Sequence, residues 1–295
     1  MSEAAEALGL TPELLRSLDR VALPSRRPIV GGTAGQRRSP RSGSSVEFAD
    51  FRSYVPGDDF RRVDWNAYAR LDKLVLRLYA GEEDVCVTCW VDTSASMEWG
   101  RPLKSRCARA IAGALAYCAL TSYDRAAVTG FAGTVIARSG AVRGRVAATR
   151  LWSLLDSMPA GGETDFAVLA RAARRLPRGI SVIVSDFLTE SDPARAVAAL
   201  REARQDVVLV QVLAPQELNP EVRGDVRLRD VETGAHVEVT ATAAVLDAYR
   251  TALDEHTRRL RHVAAAHGAA FTQVDSGAPL RDILLGRLRR DGVLR

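Results

Sequence analysis

Between Val85 and Asp275 the chain alternates two kinds of hydrophobic pattern. Short continuous apolar runs, VCVTCWV, ISVIVS and DVVLVQVLA, have the length and β-branched content of strands buried on both faces. Between them, apolar residues recur every three to four positions. SRCARAIAGALAYCAL, RVAATRLWSLLDSM, DFAVLARAARRL and PARAVAALREAR therefore read as helices. AAVTGFA and TVIARS read as two adjacent, antiparallel strands. DVRLRDVETGAHVEVT reads as a β-hairpin inserted at about 225–240, with Thr233 and Gly234 supplying the turn. A long helix from about Ala243 to Ala266, a last strand AAFTQVD and a last helix within 276–295 follow. Strands alternating with helices over this length predict an α/β fold, a doubly wound and mostly parallel sheet spanning 85–275.

The first 84 residues have a different texture. Residues 1–45 hold an amphipathic helix, TPELLRSLDRVAL, with Thr11 as N-cap, Pro12 at the first helical position and Glu13 in the first turn. A loop rich in Arg, Ser, Gly and Pro follows, in which Arg26, Arg27, Arg37, Arg38 and Arg41 have no acidic neighbours in sequence. It reads as a solvated loop or as a basic contact surface. Residues 46–84 become dense in aromatics and paired charges, with a turn at Pro56-Gly57 and a strand at LVLRLY, and are expected to fold as a small appendage.

Composition narrows the classes. Hydrophobic residues make up 47% of the 295 and charged residues 26%, which excludes a disordered, collagen-like or coiled-coil chain. The longest apolar stretches, such as Ile111 to Leu120, are half the length of a membrane span, and no signal-peptide pattern opens the chain, so the expected address is the cytoplasm. The net charge is +5, carried almost wholly by arginine, with only Lys73 and Lys104 as lysines. No basic run interleaved with aromatics supports nucleic-acid binding. Cys86 and Cys89 have C-x-x-C spacing, but lie three apart in a strand pattern and so face opposite ways; with Cys107 and Cys118 they read as inert buried thiols. The four histidines come late, and His256 and His262 are assigned to a solvated helix face.

Ligands of open α/β sheets collect beyond the carboxyl ends of the strands. After VCVTCWV comes Asp92-Thr93-Ser94-Ala95-Ser96, and after ISVIVS comes Asp186; the loop before DFAVLARAARRL holds Gly161-Gly162-Glu163-Thr164-Asp165. If the strands starting at Val85 and Ile180 are neighbours, Asp92, Ser94, Ser96, Thr164 and Asp186 converge. All five offer hard oxygen atoms, the donor type that Mg²⁺ takes. Taken singly, each aspartate could instead be a helix N-cap and each serine could simply hydrogen-bond its loop.

These five positions resemble the metal-ion-dependent adhesion site of von Willebrand factor A-like domains, whose sheet is Rossmann-like. The resemblance implies that the serines ligate the ion directly, the threonine directly or through water, and the aspartates largely through water. One position is left open for a partner's carboxylate. A second stretch, Glu47-Phe48, Arg52, Tyr54, Pro56-Gly57-Asp58-Asp59, Arg61-Arg62, Asp64-Trp65 and Ala69-Arg70, resembles the signature of the bacterial family called domain of unknown function 58. That resemblance implies association with MoxR-type AAA+ ATPases.

The resulting expectation is a binding module using one Mg²⁺ or Mn²⁺ to capture an acidic side chain, as an adaptor or co-chaperone of such an ATPase or its client. Asp58, Asp59, Arg61 and Arg62 are candidate docking residues, alternatively a structural set of ion pairs. A Mg²⁺-dependent hydrolase is the second reading and arginine-mediated nucleic-acid binding the third. Against an enzyme, no G-x-x-x-x-G-K-[ST] loop, D-x-D pair or G-x-S-x-G elbow occurs. Arg223-Gly224-Asp225 reads as a hairpin accident.

Overall fold

The computed structural model describes residues 2–24, 48–53, 67–68, 74–79 and 85–295. The chain divides into two compact units, one of Met1–Ser25 with Val85–Arg295 and one of Arg26–Asp84. Asp58, Asp59, Arg61, Arg62 and Trp65, with the arginines of the 26–41 loop, lie outside the described residues.

Two short helices open the first unit, α1 (Glu3–Ala7) and α2 (Pro12–Leu18). The Thr11 hydroxyl accepts a hydrogen bond from the Leu14 amide at 3.3 Å, so the expected cap forms with Pro12 where its missing N–H costs nothing. Leu10, Leu14 and Leu18 are buried. In the second unit, β1 (Phe48–Ser53) and β2 (Val75–Tyr79) pair antiparallel, with a register shift between Phe48 and Asp50.

The rest of the first unit is built on β3 (Cys86–Asp92), α3 (Lys104–Thr121), β4 (Arg125–Phe131), β5 (Val135–Arg138), β6 (Val142–Arg143), α4 (Ala148–Asp156), α5 (Ala167–Ala173), β7 (Gly179–Ser185), α6 (Pro193–Glu202), β8 (Gln205–Leu213), α7 (Pro215–Leu218), β9 (Gly224–Arg229), β10 (His236–Ala241), α8 (Ala243–Ala266) and β11 (Ala270–Asp275). The main sheet has the order β11-β8-β7-β3-β4-β5, with β6 also on β4. Its first five strands in that order run parallel, and β5 and β6 join β4 antiparallel. This is the doubly wound, mostly parallel α/β sheet that the pattern predicts.

Alternate strand residues serve opposite layers. Trp90, Ile183 and Leu209 join Phe166, Leu169, Val197, Leu200 and Leu260 in one apolar cluster, which buries α5, α6 and α8 against one face. On the other face lies α3, which packs on β3, β4, β7 and β8 and also contacts α2 and α4. Gly113 makes the α3–α4 approach possible, since an added Cβ would lie 3.1 Å from the Trp152 ring. Its carbonyl accepts the Trp152 indole N–H at 3.1 Å. Tyr117 donates to Asp19 at 2.6 Å, and the Ala22 and Arg295 backbones exchange hydrogen bonds, so the N-terminal helices are tied into the same unit.

The hairpin forms a separate two-stranded sheet, β9 with β10. Its turn runs from Asp230 to Ala235 with Gly234 at φ 73°. Asp225 of the Arg-Gly-Asp tripeptide is the acceptor of Thr240 Oγ1 at 2.6 Å within this ribbon. The last helix is π-helical over Asp282–Leu288 and buries Ile283, Leu284 and Leu288. All four cysteines are free and buried; burial pushes the Cys89, Cys107 and Cys118 thiols up to about 12. His262 is exposed as expected. His256 is not on a solvated face: it is half-buried, and burial followed by the charge of Arg259 lowers its pKa. No helix among the described residues is long and apolar enough to cross a membrane.

Candidate functional site

The site lies where β3 and β7 end side by side. Asp92 is the last residue of β3, and Ser185, the last of β7, donates its hydroxyl to Asp92 Oδ2 at 2.6 Å. The Ser94 amide donates to Asp92 Oδ1 at 2.9 Å, closing the tight turn that the D-x-S-x-S spacing allows. Ser94 and Ser96 hydroxyls lie 3.0 Å apart.

Thr164 arrives from a loop laced to that turn. Gly161 N–H donates to the Thr93 carbonyl at 2.8 Å, and Ala95 N–H donates to the Gly162 carbonyl at 3.0 Å. Gly161 and Gly162 hold φ values of 143° and 81°, which only glycine adopts without strain, so this pair is what lets the loop fold onto β3. Thr164 Oγ1 then donates to Asp92 Oδ2 at 3.0 Å.

Asp186 is aimed by a strained neighbour. Phe187 has φ 58°, a left-handed backbone that costs a side-chain-bearing residue about 1–3 kcal/mol. Its buried ring stacks on Phe166 with centroids 5.2 Å apart, which holds the conformation in place. The turn is closed by the Leu188 amide donating to Asp186 Oδ1 at 3.0 Å and the Phe187 amide donating to Ser185 Oγ at 2.9 Å. Neither aspartate caps a helix; each closes a local turn.

The five predicted residues thus stand on converging loops. Asp92, Ser94, Thr164 and Asp186 are buried and Ser96 half-buried. Burial, then the nearby Asp186 charge, push Asp92 up to about 6, against the opposing pull of its Ser185 and Ser94 hydrogen bonds.

Three further residues complete the site and were not singled out by the sequence reading. Lys104, the first residue of α3, is 1% exposed. Its Nζ donates to Asp186 Oδ2 at 2.6 Å and to Glu217 Oε1 at 2.5 Å. Burial would lower the ammonium's pKa, but Asp186 and Glu217 outweigh it and hold it above its ordinary value. Glu217 lies in α7, its other oxygen accepting the Ala214 amide at 2.7 Å; burial raises its pKa and Lys104 opposes that. Ser185 is the third. Glu217 follows the carboxyl end of β8, so the rule that led to Asp92 and Asp186 would have reached it one strand further on. Lys104 had a compositional signal: it is one of two lysines in a chain that otherwise uses arginine.

The donor chemistry fits a hard divalent cation: hydroxyl oxygens from Ser94, Ser96 and Thr164, and carboxylates from Asp92 and Asp186. Among the described residues no three His, Cys, Asp or Glu side chains gather as a metal cluster, so the hydroxyls must supply much of any such shell. Lys104 departs from the expected set, since it already places a full positive charge on Asp186.

A family model described as protein of unknown function DUF58 matches residues 50–259. Uncharacterized proteins of Mycobacterium bovis and Mycobacterium tuberculosis are each 31% identical over 288 residues, which cover 94% of this chain and 86% of the relative. Among solved structures, the conserved hypothetical protein BatB from Bacteroides thetaiotaomicron aligns over 70% of this chain and 98% of its own, at 14% identity and a TM-score of 0.45.

Proposed function

The chain belongs to the DUF58 family, and from that premise we propose that its first unit is a metal-dependent protein-binding module rather than an enzyme. One observation carries this reading: Asp92 receives Thr164 and Ser185 at one carboxylate oxygen, beside the Ser94–Ser96 hydroxyl pair and Asp186. The hydroxyls of Ser94, Ser96 and Thr164 are the residues that would hold Mg²⁺ or Mn²⁺, with Asp92 and Asp186 supplying the negative charge around it. Such an ion, when bound, offers Lewis acidity to an oxygen ligand from outside the chain. An acidic side chain of a protein partner is the ligand of matching charge. That partner, as the family resemblance implies, is a MoxR-type AAA+ ATPase or its client, and the chain would act as adaptor between them in the cytoplasm.

The protein's own residues shape the site. Phe187 and the Gly161-Gly162 turn fix the loops, and buried hydroxyls hold Asp92 in one orientation. Thermal melts in Mg²⁺, Mn²⁺ and EDTA test the reading. Saturating metal at about 100 times its dissociation constant should add about 2.7 kcal/mol of stability. Asp92→Ala and Thr164→Ala should lose that gain. A wild-type protein whose melting temperature ignores both metals counts against the module.

A further inference from the structure

We infer that Lys104 is a built-in counter-ion that weakens the hold of this site on a divalent cation, with Glu217 as its opposing control. The inference rests on the metal-dependent reading above and adds the residue that sets its affinity.

Three observations carry it. First, Lys104 occupies a place that ordinarily selects against a cation. It opens an 18-residue helix, where the helix dipole favours anions, and it is buried away from water. Both costs are met chiefly by the two carboxylates that clasp its ammonium, at 2.6 Å to Asp186 and 2.5 Å to Glu217, with the Trp99 ring 5.9 Å from it on another side.

Second, the clasp consumes one of the proposed cation's two anionic partners. Both oxygens of Asp186 are engaged, Oδ2 by Lys104 and Oδ1 by the Leu188 amide. Asp92 by contrast is served by the neutral Thr164 and Ser185 hydroxyls and the Ser94 amide, none of which carries charge. A divalent cation entering beside Asp92 therefore meets one uncompensated carboxylate, and a second whose charge an ammonium has already answered. A cation that draws on Asp186 would share that carboxylate with the Lys104 ammonium, and in an interior of reduced dielectric like charges on one carboxylate repel strongly.

Third, Glu217 is placed to moderate that repulsion. It takes a share of the Lys104 charge and is itself pinned by the Ala214 amide and, through its backbone carbonyl, by the Tyr249 hydroxyl at 2.9 Å. Removing the lysine's charge should therefore tighten cation binding, and removing the glutamate's should loosen it. Loss of a merely structural ion pair has no reason to produce opposite signs.

The test is calorimetric titration of the full chain with MgCl₂ and with MnCl₂ for wild type, Lys104→Met and Glu217→Gln, with Asp92→Ala as the control. Lys104→Met should bind at least tenfold more tightly than wild type, and Glu217→Gln severalfold more weakly. Glutamine keeps the shape of Glu217 and one of its two acceptor oxygens while removing its charge, so this variant decides the matter if Lys104→Met does not fold. Metal binding that is unchanged in both variants, or a tighter Glu217→Gln, overturns the role of Lys104 while leaving the metal site standing. Heat from Lys104→Met but none from wild type supports the role. No binding by wild type or by either variant overturns the inference and the metal reading together.

Discussion

Asp92 ends β3 and Asp186 directly follows the adjacent β7; the two are equally buried and are kept in place by opposite means. Asp92 is surrounded by neutral donors: two hydroxyls and an amide. Asp186 is neutralised by an ammonium that a second carboxylate shares. A neutral donor can turn away from a carboxylate at modest cost, whereas a buried ammonium cannot leave without exposing uncompensated charge. The two halves of the site therefore differ in what they can yield: the Asp92 half is exchangeable and the Asp186 half is fixed.

The strongest way to break that contrast is to remove the fixed charge. Lys104→Ala leaves Asp186 and Glu217 buried without their counter-ion, and should cost about 3–5 kcal/mol in urea unfolding under chelator. A loss as small as that of a surface substitution would mean that the Asp186 half is as exchangeable as the other.

A pH series sharpens the contrast from the Asp92 side. Its carboxyl ionises near 6 in the folded chain, above its unfolded value of 3.8. The folded state therefore binds a proton that the unfolded state releases. This contribution is fully present below about pH 4 and is lost as pH rises through about 6, an amount on the order of 2–3 kcal/mol. Asp92→Asn should flatten that part of the stability profile, measured under chelator. If the profile of the variant overlays wild type between pH 4 and 7, Asp92 is not the group that titrates.

Smaller effects are expected from the neutral donors themselves. Thr164→Val removes one hydrogen bond to Asp92 Oδ2 and should cost about 1 kcal/mol; Ser185→Ala, which also loses the acceptor of the Phe187 amide, should cost about 2 kcal/mol, and both less than Lys104→Ala. Double-mutant coupling between them reports whether the two hydroxyls act on the same carboxylate. The smallest effect marks the edge of the site. Arg171 and Asp165 pair at 3.5 Å, with the Arg171 side chain largely exposed and Asp165 partly so, so Arg171→Ala should stay within about 0.5 kcal/mol of wild type.

Much of this architecture can be read from the chain, and the reasons are local. The buried strands carry unbroken β-branched runs, and Thr11-Pro12 marks the start of α2 by cap chemistry alone. Asp92, Ser94 and Ser96 are close in sequence, so spacing reveals them. Asp186 and Thr164 follow from one topological condition, that β3 and β7 are neighbours, and the sheet meets it. Lys104 could not be found that way. Its partners are 82 and 113 residues distant in sequence, and a lysine opening a helix carries no mark of burial. The left-handed turn at Phe187 was equally hidden, because no glycine or asparagine announces it. His256 was misread because a helix of mixed polarity does not show which of its polar residues lean onto the protein.

Gly179 lets β7 approach β3 at the end remote from the site. It opens β7 opposite Cys86 of β3, and a Cβ added there would lie 2.0 Å from the Cys86 carbonyl oxygen. Any side chain must push the two strands apart at that end. The other ends of the same strands carry Asp92 and Ser185, joined by the 2.6 Å hydrogen bond. A methyl group at position 179 would therefore strain, from its far end, the one strand pair whose other end builds the site. Gly179→Ala should therefore lower stability in urea unfolding although it lies a full strand length from Asp92.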